Sequence, residues 1–163
     1  ACAKGVPMGG DLMAAADGQV PSFLVQARKD PDGANLDRIQ IVKGWLDADG
    51  NTHEKVFDVS WSDAERRQPG ADGKVPSVGS SVNEREATYT NSIGATNLTA
   101  FWKDPSFDAS QKAFYYVRVM EIPTPTWLAY DRKNFNLYDE MPSKAPYSSQ
   151  ERAYTSPIWY NPS

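Results

Sequence analysis

Two alternating runs hinged on a single turn constrain this chain more than any other feature. In Arg38–Leu46, Ile39 and Ile41 share one side, and Gln40 and Val42 the other. In Glu54–Trp61, Phe57, Val59 and Trp61 alternate with Asp58 and Ser60. A period of two is the period of a β-strand. Between the runs stands Asp47-Ala48-Asp49-Gly50. Asp hydrogen-bonds its own turn and Gly accepts a positive φ, so the whole segment predicts a β-hairpin.

The rest of the chain follows the same pattern. Pro21–Arg28 alternates Phe23, Val25 and Ala27 with Leu24, Gln26 and Arg28 before Asp30-Pro31-Asp32-Gly33 breaks it. Thr88–Thr90 and Leu98–Trp102 read as strands. Ala113–Ile122 sets Phe114, Tyr116, Arg118 and Met120 against Tyr115, Val117, Val119 and Glu121. Both of its faces carry apolar weight, which places it centrally in a sheet. Glu151–Tyr160 reads as a last strand, with Pro157 marking an edge or a bulge. Ser62–Lys74 reads as a polar loop with one helical turn at Ser62–Arg67. No window shows a sustained helical period. The expected fold is all-β: a β-sandwich of about six to eight mostly antiparallel strands. It carries a long irregular loop near residues 123–150. Its core is expected to hold Ile39, Ile41, Phe57, Val59, Trp61, Val117 and Val119.

A length of 163 residues suits one domain. Residues 1–20 read as a linker or the tail of a preceding part, able to lie along a sheet edge, and residues 21–163 as the sandwich. The 17 basic and 21 acidic residues leave a net charge of −4, which argues against a nucleic-acid partner. No apolar run is long enough to span a membrane. The chain has one His, His53, and one Cys, Cys2. An intramolecular disulfide and a His/Cys zinc site are therefore both excluded.

Few residues nominate chemistry. His53 follows the hairpin turn and reads as solvent-facing. Asp47-x-Asp49-Gly50 hints at calcium, but Gly falls at position four of the loop and Asp58 at position twelve, so it is no EF-hand. Asp30-x-Asp32-Gly33 fails in the same way. The carboxylate pairs Asp37/Asp58 and Glu121/Glu151 read as surface residues. No catalytic, cofactor or metal residue is assigned. Aromatics cluster late, and Trp127, Tyr130 and Tyr147 form the candidate ligand-binding surface.

Several stretches then carry a resemblance. They are Gly5–Leu12, Asp30–Trp45, Asp47–Val56, the run Phe114-Tyr115-Tyr116-Val117-Arg118-Val119, and Arg152–Tyr160. Together they resemble the C-terminal part of the bacterial family called domain of unknown function 3604. The resemblance implies a longer parent similar to PHP-type metal-dependent hydrolases, exported to the periplasm or outside the cell. Its divalent metals would be bound upstream by a separate catalytic domain. This chain would be a non-catalytic accessory domain that buttresses or caps that domain, its partner in the same polypeptide. A carbohydrate- or calcium-dependent binding module is the alternative, and an enzyme in its own right is a third reading that no residue set nominates. An uncovered sheet edge would also offer a homodimer contact.

The strand placement makes a prediction of its own. Val117→Asp sets a charge inside a packed sheet and should remove the cooperative thermal transition, because an unpaired buried charge costs several kcal/mol. Asp49→Ala, in the turn, should leave the transition nearly unmoved. A retained melt in Val117→Asp would disprove the placement.

Overall fold

A computed structural model describes residues 5–12 and 19–162; Cys2 lies outside them. The hairpin forms as its alternation requires: β3 (Leu36–Leu46) pairs antiparallel with β4 (Thr52–Trp61). Its turn closes by bonds from Gly50 N–H to Asp47 C=O and from Asp47 N–H to Asn51 C=O. Gly50 takes φ +83°, the left-handed conformation that a turn at this position needs.

β3 also pairs antiparallel with β6 (Ala113–Glu121), so it lies inside the sheet with neighbours on both sides. β6 is central too, as its two apolar faces suggest. Its far side meets β9 (Arg152–Tyr154) and β10 (Ile158–Tyr160). The expected last strand is thus two short strands, interrupted around Pro157, which has no N–H to donate to a ladder. At the margin β1 (Asp11–Leu12) runs parallel to β10, so Asp11 and Leu12 lie along a sheet edge.

A second sheet is smaller. β2 (Ser22–Arg28) pairs antiparallel with β5 (Asn97–Lys103) over seven register pairs. Phe23 of β2 packs with Ile41, Tyr115 and Tyr160 of the large sheet, and Leu98 of β5 packs with Leu36 and Ile39. This is the expected sandwich. The core differs from expectation in degree. Ile39 and Ile41 are fully buried, whereas Phe57, Val59, Trp61, Val117 and Val119 are only half-buried. The two-stranded sheet is too narrow to cover every inward side chain of the large one.

Residues 123–150 are more ordered than a loop. Two short strands, β7 (Thr124–Pro125) and β8 (Ser148–Ser149), pair and bracket a helix, α1 (Trp127–Asn134). Ala129, Tyr147 and Ala87 form a third, separate apolar cluster beneath it. Thr88–Thr90 is not a strand; among the described residues it makes one bridge, Asn83 to Thr88.

The reading of Asp37 and Asp58 as surface residues is overturned. Asp37 is fully buried: Arg38 Nε reaches its Oδ2 at 3.1 Å and Arg67 Nη2 its Oδ1 at 2.6 Å, while Gln150 also donates to it at 3.0 Å. Asp58 accepts from Arg38 at 3.1 Å, from Gln40 at 2.7 Å and from the Val75 N–H at 2.8 Å. Arg38 and Arg67 also donate to the carbonyl of Pro76. The stretch from Ser62 to Pro76 is therefore laced onto one end of the sheet by buried guanidinium groups. On the opposite face Lys43 is sealed against Asp104 at 2.6 Å, and its Nζ also donates to the Ser106 carbonyl.

That last pair should dominate stability locally. Asp104→Ala strands a buried ammonium and should cost about 3–5 kcal/mol in urea unfolding. Lys43→Met combined with Asp104→Leu should recover most of that loss, since well-packed apolar residues often replace a buried ion pair at little cost. A double variant as unstable as the single one would contradict this.

Candidate functional site

The Lys43–Asp104 pair has a third member. Tyr115, next to Lys43 across the ladder, donates its hydroxyl to Asp104 Oδ2 at 2.7 Å. Lysine, carboxylate and phenol together are a set that proton-transfer enzymes use. Here, however, each lies in the core: the side chains of Lys43 and Asp104 are 3 % and 0 % exposed. Burial alone would raise the Asp104 pKa, but bonds from Lys43, Tyr115 and Ser106 outweigh it and hold the carboxyl below its usual range. Burial, then the bond and charge of Asp104, push the Tyr115 hydroxyl well above its ordinary value. The carboxyl stays ionised and the phenol stays neutral, and Lys43, Asp104 and Tyr115 are all buried. This cluster locks the β5–β6 connection to the sheet.

His53 also has a structural task. Its ring stacks on Trp45, its register partner, at 5.1 Å and 17°. Its Nε2 lies 2.7 Å from Asp47 Oδ2. An ionised carboxylate only accepts, so the imidazole nitrogen is the donor. Asp47 also accepts from the N–H groups of Asp49 and Asn51 and from the Asn51 side chain. The bond from His53, then those from Asn51 and Asp49, bring the Asp47 pKa down to about 2 from 3.8. Among the described residues, no three His, Cys, Asp or Glu side chains group closely enough to hold a metal ion. The donor set here does not fit a metal centre.

Glu121 and Glu151 do meet, through the Glu121 N–H and the Glu151 carbonyl. Partial burial, then the charges of Glu151 and Asp30, raise the Glu121 pKa. The two line a shallow cleft of about 400 Å³ with Arg28 and Arg152.

Exposed aromatic surface is what remains; apart from Phe101 on the outer side of the small sheet, it gathers in two places. The first is α1, where Trp127 is 70 % and Tyr130 43 % exposed, with Phe135 at the C-cap 69 % exposed. Tyr147, placed on the same surface by its sequence position, is instead buried at 2 %, with its hydroxyl donating to the Pro142 carbonyl. Arg132 lies over its ring at 4.5 Å, so Tyr147 pins the helix from below and is no part of the exposed surface.

The second place had no signal beyond strand parity. On the face of the large sheet turned away from β2 and β5, Phe114, Tyr116, Tyr154 and Trp159 form a chain of rings. Trp159 lies 5.3 Å from Phe114, Phe114 6.4 Å from Tyr116, and Tyr116 6.2 Å from Tyr154. A groove of about 450 Å³ opens beside Phe114 and Trp159, lined also by Gly44, Thr52, Glu54, Lys112 and Asn161. Gly44 is required there. A Cβ at that position would sit 2.3 Å from the tip of the Phe114 ring, which reaches across from the neighbouring strand.

The family model described as "Protein of unknown function (DUF3604)" matches residues 1–162. No curated protein and no solved structure matches the chain.

The turn has a pH signature. With the folded-state pKa of Asp47 near 2 and its ordinary value at 3.8, the unfolded chain takes up the proton first on acidification. The contribution of Asp47 to stability is therefore complete above about pH 4 and disappears as pH falls towards 2. Carbon-detected NMR titration should place the Asp47 carboxyl near 2, and Asp47→Ala should flatten the acid loss of stability over that interval. An Asp47 midpoint at the ordinary carboxylate value would refute the geometry.

Proposed function

The chain belongs to the family described as "Protein of unknown function (DUF3604)", and we propose that it works there as a non-catalytic accessory domain, capping or buttressing a catalytic part of a longer exported hydrolase. Divalent metals, in this reading, are held by that other part, and this chain contributes contact surface. The observation that carries it is the division of α1. One side, with Ala129 fully buried over Tyr147 and Ala87, is fixed to the body. The other presents Trp127, Tyr130 and Phe135 to solvent.

A short helix gains little from its own hydrogen bonds and owes its order to packing. Here that packing is supplied from below, by the cluster under Ala129 and by Arg132 stacked on Tyr138 and Tyr147. The outward rings are not needed to hold the helix in place. Large aromatics left bare on a fixed element are the composition of contact hot spots.

Side-chain footprinting with hydroxyl radicals tests this directly. Labelling of Trp127, Tyr130 and Phe135 should fall several-fold when this chain is part of its full-length polypeptide, compared with the chain alone. Leu24 and Phe101, on the outer side of the small sheet, should label equally in both. Unchanged labelling of the α1 aromatics would overturn the capping role.

A further inference from the structure

The groove beside Phe114 lies at the opposite end of β6 from α1, so what it does is independent of the capping role. It lies on a row that crosses the sheet and continues past the groove to Asp11 at the sheet edge. The register sets Glu54 of β4 beside Gly44 of β3, Gly44 beside Phe114 of β6, Phe114 beside Trp159 of β10, and Trp159 beside Asp11 of β1. Side chains at one register level alternate in phase, so these five share a face. The row thus reads acid, glycine, aromatic, aromatic, acid. Strands stand about 4.8 Å apart, so the two carboxylates are roughly 19 Å from each other across the row.

Each part has a use. Gly44 contributes no side chain, which keeps the floor low between Glu54 and the rings. Phe114 and Trp159 give apolar faces, and Trp159 remains 46 % exposed. Glu54 and Asp11 are exposed carboxylates that only accept hydrogen bonds. Lys112 adds a donor; Thr52 and Asn161 both donate and accept. A ligand matched to this row is elongated and apolar on its flat faces, and rich in hydroxyl donors along its edges. It is also uncharged, since the groove lining carries one carboxylate, Glu54, and one ammonium, Lys112, and so favours neither an anion nor a cation.

We propose that this row is a binding site for a neutral oligosaccharide lying across the strands. Pyranose rings would stack on Phe114 and Trp159, and hydroxyl groups would donate to Glu54 and Asp11. The chain binds such a ligand; no bond in it is made or broken here.

The test is calorimetric titration of the chain with neutral tetrasaccharides of glucose (β-1,4 and α-1,4 linked), xylose, mannose and N-acetylglucosamine. Polygalacturonate and tetramethylammonium serve as the anionic and cationic controls. At least one neutral tetrasaccharide should bind and quench tryptophan fluorescence, and both controls should fail. Trp159→Ala should weaken that binding roughly tenfold or more through loss of one stacking face. Glu54→Gln should weaken it by a similar, roughly tenfold factor, because a hydrogen bond to a charged acceptor is the stronger kind. Phe101→Ala, on the outer side of the small sheet, should bind as the parent does. Thermal melts confirm that each variant is folded. A sugar that no variant at this row affects, a response to tetramethylammonium alone, or no binding to any tetrasaccharide at millimolar concentration would each overturn the proposal.

Discussion

β3 is a strand with neighbours on both sides that nonetheless carries Asp37, Arg38 and Lys43 in buried positions. A charge in the interior is tolerated only if paired and hydrogen-bonded. The partners cannot all come from the sheet, because backbone groups there are committed to the ladders. They come mainly from connections. Asp37 is met by Arg67 and Gln150, Arg38 by the carbonyls of Val75 and Pro76, and Lys43 by Asp104 and Ser106. Three stretches of irregular chain thereby acquire fixed positions that their own sequences do not specify.

This constraint divides the outer face of the large sheet. Arg38, Gln40 and Asp58 lie towards one end, with Arg118 donating to Gln40 at 2.7 Å, and the chain from Ser62 to Pro76 covers them. Towards the other end β3 carries Val42 and Gly44, which make no ionic claim on a loop. That end is faced with Phe114, Tyr116, Tyr154 and Trp159. One strand's order of polar, then apolar, then absent side chain thus decides which part of the surface is closed and which is left with aromatic rings.

Much of this was legible in the sequence, for a physical reason. Period-two alternation in β2, β3, β4 and β6 follows from strand geometry, so both the strands and their inward sides could be read. Burial of Asp37 and Asp58 could not be read, because it depends on distant residues that no local pattern ties to them: Arg67 and Gln150 for Asp37, Gln40 and the Val75 N–H for Asp58. The helix α1 was missed because eight residues are too few to establish a helical period. The signals that did exist were Pro125-Thr126 ahead of it and Arg132-Lys133 in its last turn, both common at helix ends. Tyr147 looked like Trp127 and Tyr130 in sequence and differs only by lying under Arg132. The groove depends on four-strand register, which is settled by the whole sheet and by no single segment.

The distribution of chemistry within the molecule then bears on what kind of work it can do. Groups suited to proton transfer, such as Lys43, Asp104 and Tyr115, are inside and mutually satisfied. The lone His is occupied with a turn carboxylate and a tryptophan face. Most of the aromatic area that faces solvent lies on two supports, a pinned helix and the large sheet. Rigid, amphipathic rings bind at small entropic cost because they have few torsions to freeze. A fold that spends its ionic groups on holding loops and leaves its rings outside suits the contact roles proposed for it. The two ends of β6 separate those contacts, so that occupation of one need not obstruct the other.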